Sequence, residues 1–319
     1  IVFGDWSSDV CSSDLEQTMS SFMPNIVVAQ AMTSLKLPEA IDKRELDRKV
    51  KAGFERLSEL QHQDGGWGWW ESDASDAFMT AYVAWGLKEA QAAGYTGYDY
   101  MAGRAAAAVR KQFERPPAKQ AADVRAWQLH ALALAGEAKT RDLDLVYEKR
   151  ADLSSLGWAL MGLASQAMND QRTQRIGLQI DALAKREGPY VWWPATRDLM
   201  LDFEMDASVE ATSFALKFLA GDTMESPMAA GAARWLLAKR SRGARWQSTK
   251  QTAFAILGLT GHLKRSGELE PDFTARVTLN GKEILKRRFG ADDVFARPVK
   301  VSLSGRSEEQ TSELQSKNT

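Results

Sequence analysis

The feature that most constrains the fold is a helical segment that keeps returning. Thr80-Ala81-Tyr82-Val83-Ala84-Trp85-Gly86-Leu87 has counterparts at Arg125-Ala126-Trp127 to Leu132, Leu156-Gly157-Trp158 to Leu163, Glu210-Ala211-Thr212 to Leu219 and Lys250-Gln251-Thr252 to Leu259. Each is rich in Ala and Gly on one face, which lets neighbouring helices approach closely. Between them run amphipathic helices such as Arg172 to Arg186 and Pro227 to Arg240. Tryptophan-bearing turns separate the pairs: Trp67-Gly68-Trp69-Trp70, Tyr190-Val191-Trp192-Trp193-Pro194 and Arg245-Trp246-Gln247-Ser248. Helix pairs recurring every ~30 to 55 residues indicate αα-hairpins that bury their apolar faces only by stacking on one another. Because less polar helices alternate with amphipathic ones, a closed double ring of inner and outer helices is favoured over an open solenoid.

The first such pair shows the local logic. Leu46, Val50, Phe54 and Leu57 give Ile41 to Leu60 one buried helical face. The glycines of Gln61-His62-Gln63-Asp64-Gly65-Gly66-Trp67 stop that helix and permit a tight turn, and Asp76 is placed to cap the next one. Beyond Pro271 the period changes to two. Phe273, Ala275, Val277 and Leu279 alternate with polar residues, Asn280-Gly281 is a hairpin turn, Ile284 to Phe289 returns, and Val299, Val301 and Leu303 indicate a further strand. The expected order is an all-α domain over 16–268 followed by a few β-strands over 269–305, too few to form a stable sheet domain on their own.

The 41 basic and 42 acidic residues nearly cancel, so charge steers the chain neither to nucleic acid nor to an anionic membrane. Cys11 is the single cysteine, which excludes an internal disulfide and a Cys-ligated metal site; no metal or cofactor is expected. No apolar run approaches the ~20 residues that span a bilayer. Both ends read unlike the middle. Asp5 to Leu15 and Arg306 to Ser316 resemble conceptual translations of sequencing-library adapters, so 1–15 and 306–319 are read as tails outside the fold, with natural polar tails as the alternative.

The segment Glu16-Gln17-Thr18-Met19-Ser20-Ser21-Phe22-Met23-Pro24-Asn25-Ile26-Val27-Val28 resembles the stretch after the thioester cysteine in the α2-macroglobulin and complement family, and Asp64-Gly65-Gly66 with its following aromatics and Trp246-Gln247-Ser248-Thr249-Lys250 look like bacterial members. In that family a Cys-x-Glu-Gln pattern joins the Cys sulfur to the Gln γ-carbonyl. Gln17 and Glu16 fill its last two places, but position 14 is Asp14, and Cys11 is at the wrong spacing. The resemblance runs from Glu16 to about Leu263 and implies an α/α toroid followed by a β-sandwich domain, of which 269–305 is the start, cut short. It also implies a non-enzymatic endopeptidase inhibitor that is periplasmic or otherwise extracytoplasmic. Its acyl glutamine is Gln17, Glu16 is that residue's motif neighbour, and the partners are target proteases and the neighbouring β domains of the full-length protein, with cell-wall synthesis enzymes as further candidates. Complement relatives use a histidine on the toroid to activate acyl transfer, for which His130 is the candidate; as an inner-helix residue it can equally be structural. With Asp14 in place, this polypeptide is expected not to form a thioester.

Two other classes compete. Gln61-x-x-Asp64-Gly65-x-Trp67 also resembles the Gln-Trp motif of terpenoid cyclases, which share the toroid, but Asp73-Ala74-Ser75-Asp76 is a poor match for their aspartate cluster. The prenyltransferase branch needs a zinc-ligating cysteine that is lacking. A non-covalent binding module is the third reading, and Asp14 fits it. Trp67, Trp69, Trp70, Trp192 and Trp193 could line a ligand pocket or pack between helix pairs; packing is the expected role.

Overall fold

The computed structural model describes residues 15–36, 42–196, 199, 206–221, 226–241, 246–294, 296 and 299. Among them lie eleven α-helices. The first six are α1 (Leu15–Ser34), α2 (Lys43–Glu59), α3 (Ala77–Ala92), α4 (Asp99–Glu114), α5 (Ala122–Leu134) and α6 (Thr140–Glu148). They are followed by α7 (Ser155–Ala167), α8 (Thr173–Leu183), α9 (Ser208–Gly221), α10 (Pro227–Ala238) and α11 (Thr249–Ser266). Strands β1 (Lys185–Glu187) and β2 (Tyr190–Trp192) pair between α8 and α9, and β3 (Phe273–Leu279) pairs with β4 (Lys282–Phe289) after α11. The chain divides into two compact units, Ile1–Arg265 and Ser266–Thr319.

In the first unit, burial sorts the helices into two classes. α7 is buried without a break from Ser155 to Ser165, and α3 from Phe78 to Leu87. In contrast α2 buries only Leu46, Val50, Phe54 and Leu57, and α8 only Ile176 and Ile180. A helix apolar all round lies inside, and one with a single stripe lies outside. The odd-numbered helices accordingly pack in succession, α1 on α3, α3 on α5, α5 on α7 and α7 on α9, while the even ones lie against them. α11 completes the circle. Its Gly258 meets the Ser213 carbonyl of α9, where a Cβ would come within 2.6 Å, and its Phe254 lies 5.6 Å from Trp85 of α3. Trp127 from α5 and Phe214 from α9 join them at ring separations of 5.0 to 6.2 Å. The two neighbouring pairs, α3 with α5 and α9 with α11, thus meet across the middle in one aromatic cluster, as a closed ring requires. The architecture is the α/α toroid expected from the repeats.

Three hairpin junctions use the same hydrogen bonds. Each tryptophan donates its indole N–H to a carbonyl in the last turn of an outer helix: Trp67 to Leu57 at 2.9 Å, Trp193 to Ile180 at 2.6 Å and Trp246 to Leu236 at 2.9 Å. Its backbone N–H then donates to a threonine hydroxyl in the first turn of the next inner helix, or one turn further in: Thr80 at 3.0 Å, Thr212 at 3.1 Å and Thr252 at 3.2 Å. One residue thereby closes the end of one helix and ties it to the start of the next.

The helix expected over 172–186 stops at Leu183, because Ala184 turns to an extended ψ of 137°. Gly188, at φ +52°, lets the chain reverse into the β1–β2 hairpin, and Val191 packs where a Cβ on Gly231 of α10 would come within 2.5 Å. Leu15, assigned to the tail from the sequence, opens α1 and is buried. In the second unit Asn280 and Gly281 both have positive φ, 49° and 77°, as a two-residue type I′ turn requires. Of the further strand expected there, Val299 is not in a strand, and Val301 and Leu303 lie outside the described residues, as do Cys11, Asp14 and the C-terminal tail. Among the described residues no helix is long and apolar enough to cross a membrane.

Candidate functional site

Gln17 sits in the first turn of α1, and its neighbours fix which way it faces. Phe22 is received by Gly53 of α2, where a Cβ would lie 2.5 Å from the ring. Met19 and Met23 are received by Gly86 of α3, where a Cβ would lie 3.0 Å from the Met19 methyl and 2.8 Å from the Met23 sulfur. Leu15 and Ile26 are buried on the same side. Gln17 is two residues from both Leu15 and Met19, about 200° around the helix, and is exposed. Glu16 is half-buried, and its carboxylate accepts from Ser20 Oγ at 2.7 Å. Both residues lie at the positive end of a 20-residue helix. One turn on, Pro24 offers no N–H to the Ser20 carbonyl, and Asn25 Nδ2 donates to Ser21 O at 2.7 Å.

The loop between α2 and α3 holds this helix start. Leu15 N–H donates to Trp69 O at 3.2 Å. The loop can be this tight only because of its glycines. Gly65 has φ +88° and lies against the Arg104 carbonyl; a Cβ on Gly66 would come within 2.7 Å of Ser75 Oγ, and one on Gly68 within 1.7 Å of Asp73 Oδ1. Gln61 Nε2 closes the turn by donating to Gly65 O at 2.9 Å. Burial alone would raise the pKa of Asp64, but the Gly66 N–H and the Ser75 hydroxyl outweigh it and hold the carboxyl below its usual range.

His130 is elsewhere. It is 1% exposed in the second half of α5, edge-on to Phe214 at 6.5 Å. Burial, then the nearby Lys217 cation, hold its pKa down to about 3, so the imidazole is neutral at physiological pH. Its other charged neighbour is Glu89 of α3, to which Lys217 of α9 is ion-paired. Gln30 of α1 donates to the same carboxylate at 2.7 Å. Burial would raise the Glu89 pKa, yet Lys217 and Gln30 keep it below the ordinary value. Gln30 is 13 residues beyond Gln17 on α1, about 20 Å along the axis at 1.5 Å per residue. The structure therefore groups Glu16 and Gln17 at one end of the ring and His130 with Glu89, Lys217 and Gln30 towards the other. Sequence reasoning missed that second group; its signal was a charge set among the apolar positions of two inner helices, Glu89 in α3 and Lys217 in α9.

The tryptophans divide similarly. Trp67 and Trp193 are fully buried, Trp69 and Trp192 half-buried, Trp192 stacking on Trp235 at 6.0 Å, and Trp70 is 54% exposed. The centre of the ring is filled by the aromatic cluster. A cavity of about 10 Å³ lies among Phe78, Trp127, Glu210, Lys250 and Phe254, room for about one water and none for a polyprenyl chain. No group of acidic, His or Cys side chains able to hold a metal occurs among the described residues.

Comparison with known proteins converges on the same helix. The family model described as the A-macroglobulin TED domain matches residues 10–109, from before α1 into α4. Over those residues the chain matches a TED domain of the A-macroglobulin family. An 81-residue stretch is 42% identical to the α2-macroglobulin of Thermotoga maritima, covering 25% of this chain and 5% of that protein. The toroid also superposes on native Escherichia coli α2-macroglobulin spanning domain MG7 to the C-terminus, with a TM-score of 0.63 at 20% identity, over 89% of this chain and 45% of that one. A Salmonella α2-macroglobulin reacted with methylamine gives a TM-score of 0.62 at 20% identity over 88% of this chain and 18% of its own. The chain thus spans less than half the length of each, and at this identity the structural likeness establishes the fold.

Proposed function

We propose that this chain is the thioester-type segment of a bacterial α2-macroglobulin-like endopeptidase inhibitor, working in the periplasm or another extracytoplasmic space, and that Gln17 is its acyl position. The observation that carries the reading is the phase of α1: the motif's apolar side chains are locked into Gly53 and Gly86, and Gln17 is left facing outward at the helix start. A glutamine amide is inert to amines, whereas the same carbonyl bonded to sulfur has a thiolate leaving group. A lysine amine of a captured protease would attack the Gln17 δ-carbon; the C–S bond breaks, the sulfur takes the proton the amine loses, and an isopeptide bond remains. The related Salmonella protein is described as reacted with methylamine, an amine that this chemistry would take up.

Asp14 supports a second reading. Without a thiol three places before Gln17 the toroid serves as a non-covalent binding module, docking to β domains of the same protein or to cell-wall synthesis enzymes. The two readings part on one experiment. In an Asp14→Cys chain exposed to a lysine-rich protease, the covalent reading expects a peptide in which Gln17 is amide-linked to a protease lysine. Protease bound without that link, and with the new thiol still free, favours the binding module.

A further inference from the structure

The loop that holds α1 contains a chain of polar contacts that the acyl chemistry leaves unexplained. His62 Nδ1 lies 2.9 Å from Ser75 Oγ, and Ser75 Oγ donates to Asp64 Oδ1 at 2.8 Å. A serine has one hydroxyl hydrogen, so with that hydrogen on Asp64 the His62 Nδ1 must be the donor of its own contact. Across the imidazole, Nε2 faces Asp73 Oδ1 at 3.9 Å, and both atoms are buried without a hydrogen bond among the described residues. A neutral ring with its proton on Nδ1 turns a lone pair towards a carboxylate oxygen, which repels. An imidazolium turns an N–H towards it, which attracts.

The other oxygen of Asp73 is already committed. It accepts the Trp69 N–H at 2.8 Å, and the carbonyl of Trp69 accepts the N–H of Leu15, the first residue of α1 and two before Gln17. One carboxylate therefore connects a titratable ring to the peptide that anchors the acyl helix. Gly68 is required for this arrangement, since a Cβ there would occupy the Asp73 oxygen. The other charges facing the pair are Asp64 on the same loop and two cations of α4. Arg104 donates to the carbonyls of His62 at 2.7 Å and Gln63 at 2.9 Å, and Lys111 acts on Asp64.

We propose that Asp73 is a positioning residue for Gln17 and that protonated His62 tightens the clamp through it, so that the start of α1 is held more firmly in mild acid than in mild alkali. The consequence for Gln17 rests on the acyl reading above; the clamp itself does not. Hydrogen exchange of the whole chain, followed by mass spectrometry and corrected for intrinsic rates, reads the clamp without any thioester. From pH 8 to pH 6 the peptide covering residues 15–22 gains about five-fold in protection, the effect of one ordinary hydrogen bond. In His62→Gln that gain disappears, and Asp73→Asn lowers protection at both pH values. Peptides of α7 report whether each variant keeps its fold. A flat profile in the unaltered chain, which needs no variant, overturns the proposal, and so does an undiminished gain in a folded His62→Gln. Failure of Gln17 to acylate with the exchange profile intact would instead count against the acyl reading alone.

Discussion

At the scale of single residues, burial decides what the histidines and glutamines of this chain can do. His130 is enclosed and neutral, with a pKa lowered from 6.5 to about 3. The sign of its effect follows. The unfolded chain takes up a proton below about pH 6.5 that the folded chain refuses until about pH 3, so the stability His130 supports is complete above that window and lost progressively within it. Denaturant unfolding should therefore lose about 1.4 kcal/mol per pH unit between pH 6 and pH 5, above the range in which Glu89 titrates. His130→Asn should flatten that part of the curve, and an unchanged slope would contradict the assignment. From the sequence His130 could be placed on an inner helix and no further, because nothing local in Leu129-His130-Ala131 encodes the Glu89 and Lys217 charges that other helices bring to it. Gln17 was legible to a greater depth. The spacing of Met19, Phe22 and Ile26 sets the helical phase, whereas the glycines that receive those side chains are 31 or more positions away, at Gly53 and Gly86, and their purpose is invisible until the helices pack.

At the scale of elements, the tryptophan turns act as a repeated fastener. Each supplies an indole to an outer-helix carbonyl and a backbone N–H to an inner-helix threonine. Removing the indole N–H takes a buried hydrogen bond from each outer-helix end, a loss of about 1 kcal/mol. Trp67→Phe, Trp193→Phe and Trp246→Phe should each lower the unfolding free energy by at least about that much, and by similar amounts, in a denaturant titration. A large effect at one site beside negligible effects at the others would mean the bonds are not a shared device. The tryptophans themselves stood out in the sequence, and packing was the role expected of them. Their hydrogen-bond partners did not stand out, because a carbonyl is not encoded by its side chain and a threonine near a helix start resembles an ordinary capping residue. The β1–β2 hairpin was missed for a related reason. Lys185-Arg186-Glu187 carries no strand signal of its own and is extended because its partner Tyr190-Val191-Trp192 is held against α10.

At the scale of the whole molecule, the toroid was the most legible feature, since five similar inner-helix starts can bury their Ala- and Gly-rich faces only against each other. What the repeats do not encode is how the ring is fixed across its middle. Phe214 and Phe254 reach Trp85 and Trp127, and Lys217 reaches Glu89, a partner 128 residues away. A centre so filled has no room for a cyclase chamber, and under the proposed function the chemistry belongs at the end of the ring where α1 begins. The most direct test of this account is methylamine incorporation followed by peptide mapping. The unaltered chain, with Asp14, should take up none; Asp14→Cys should take it up at Gln17; and Gln17→Ala in that background should abolish uptake. Labelling of the unaltered chain, or labelling that survives Gln17→Ala, would contradict it.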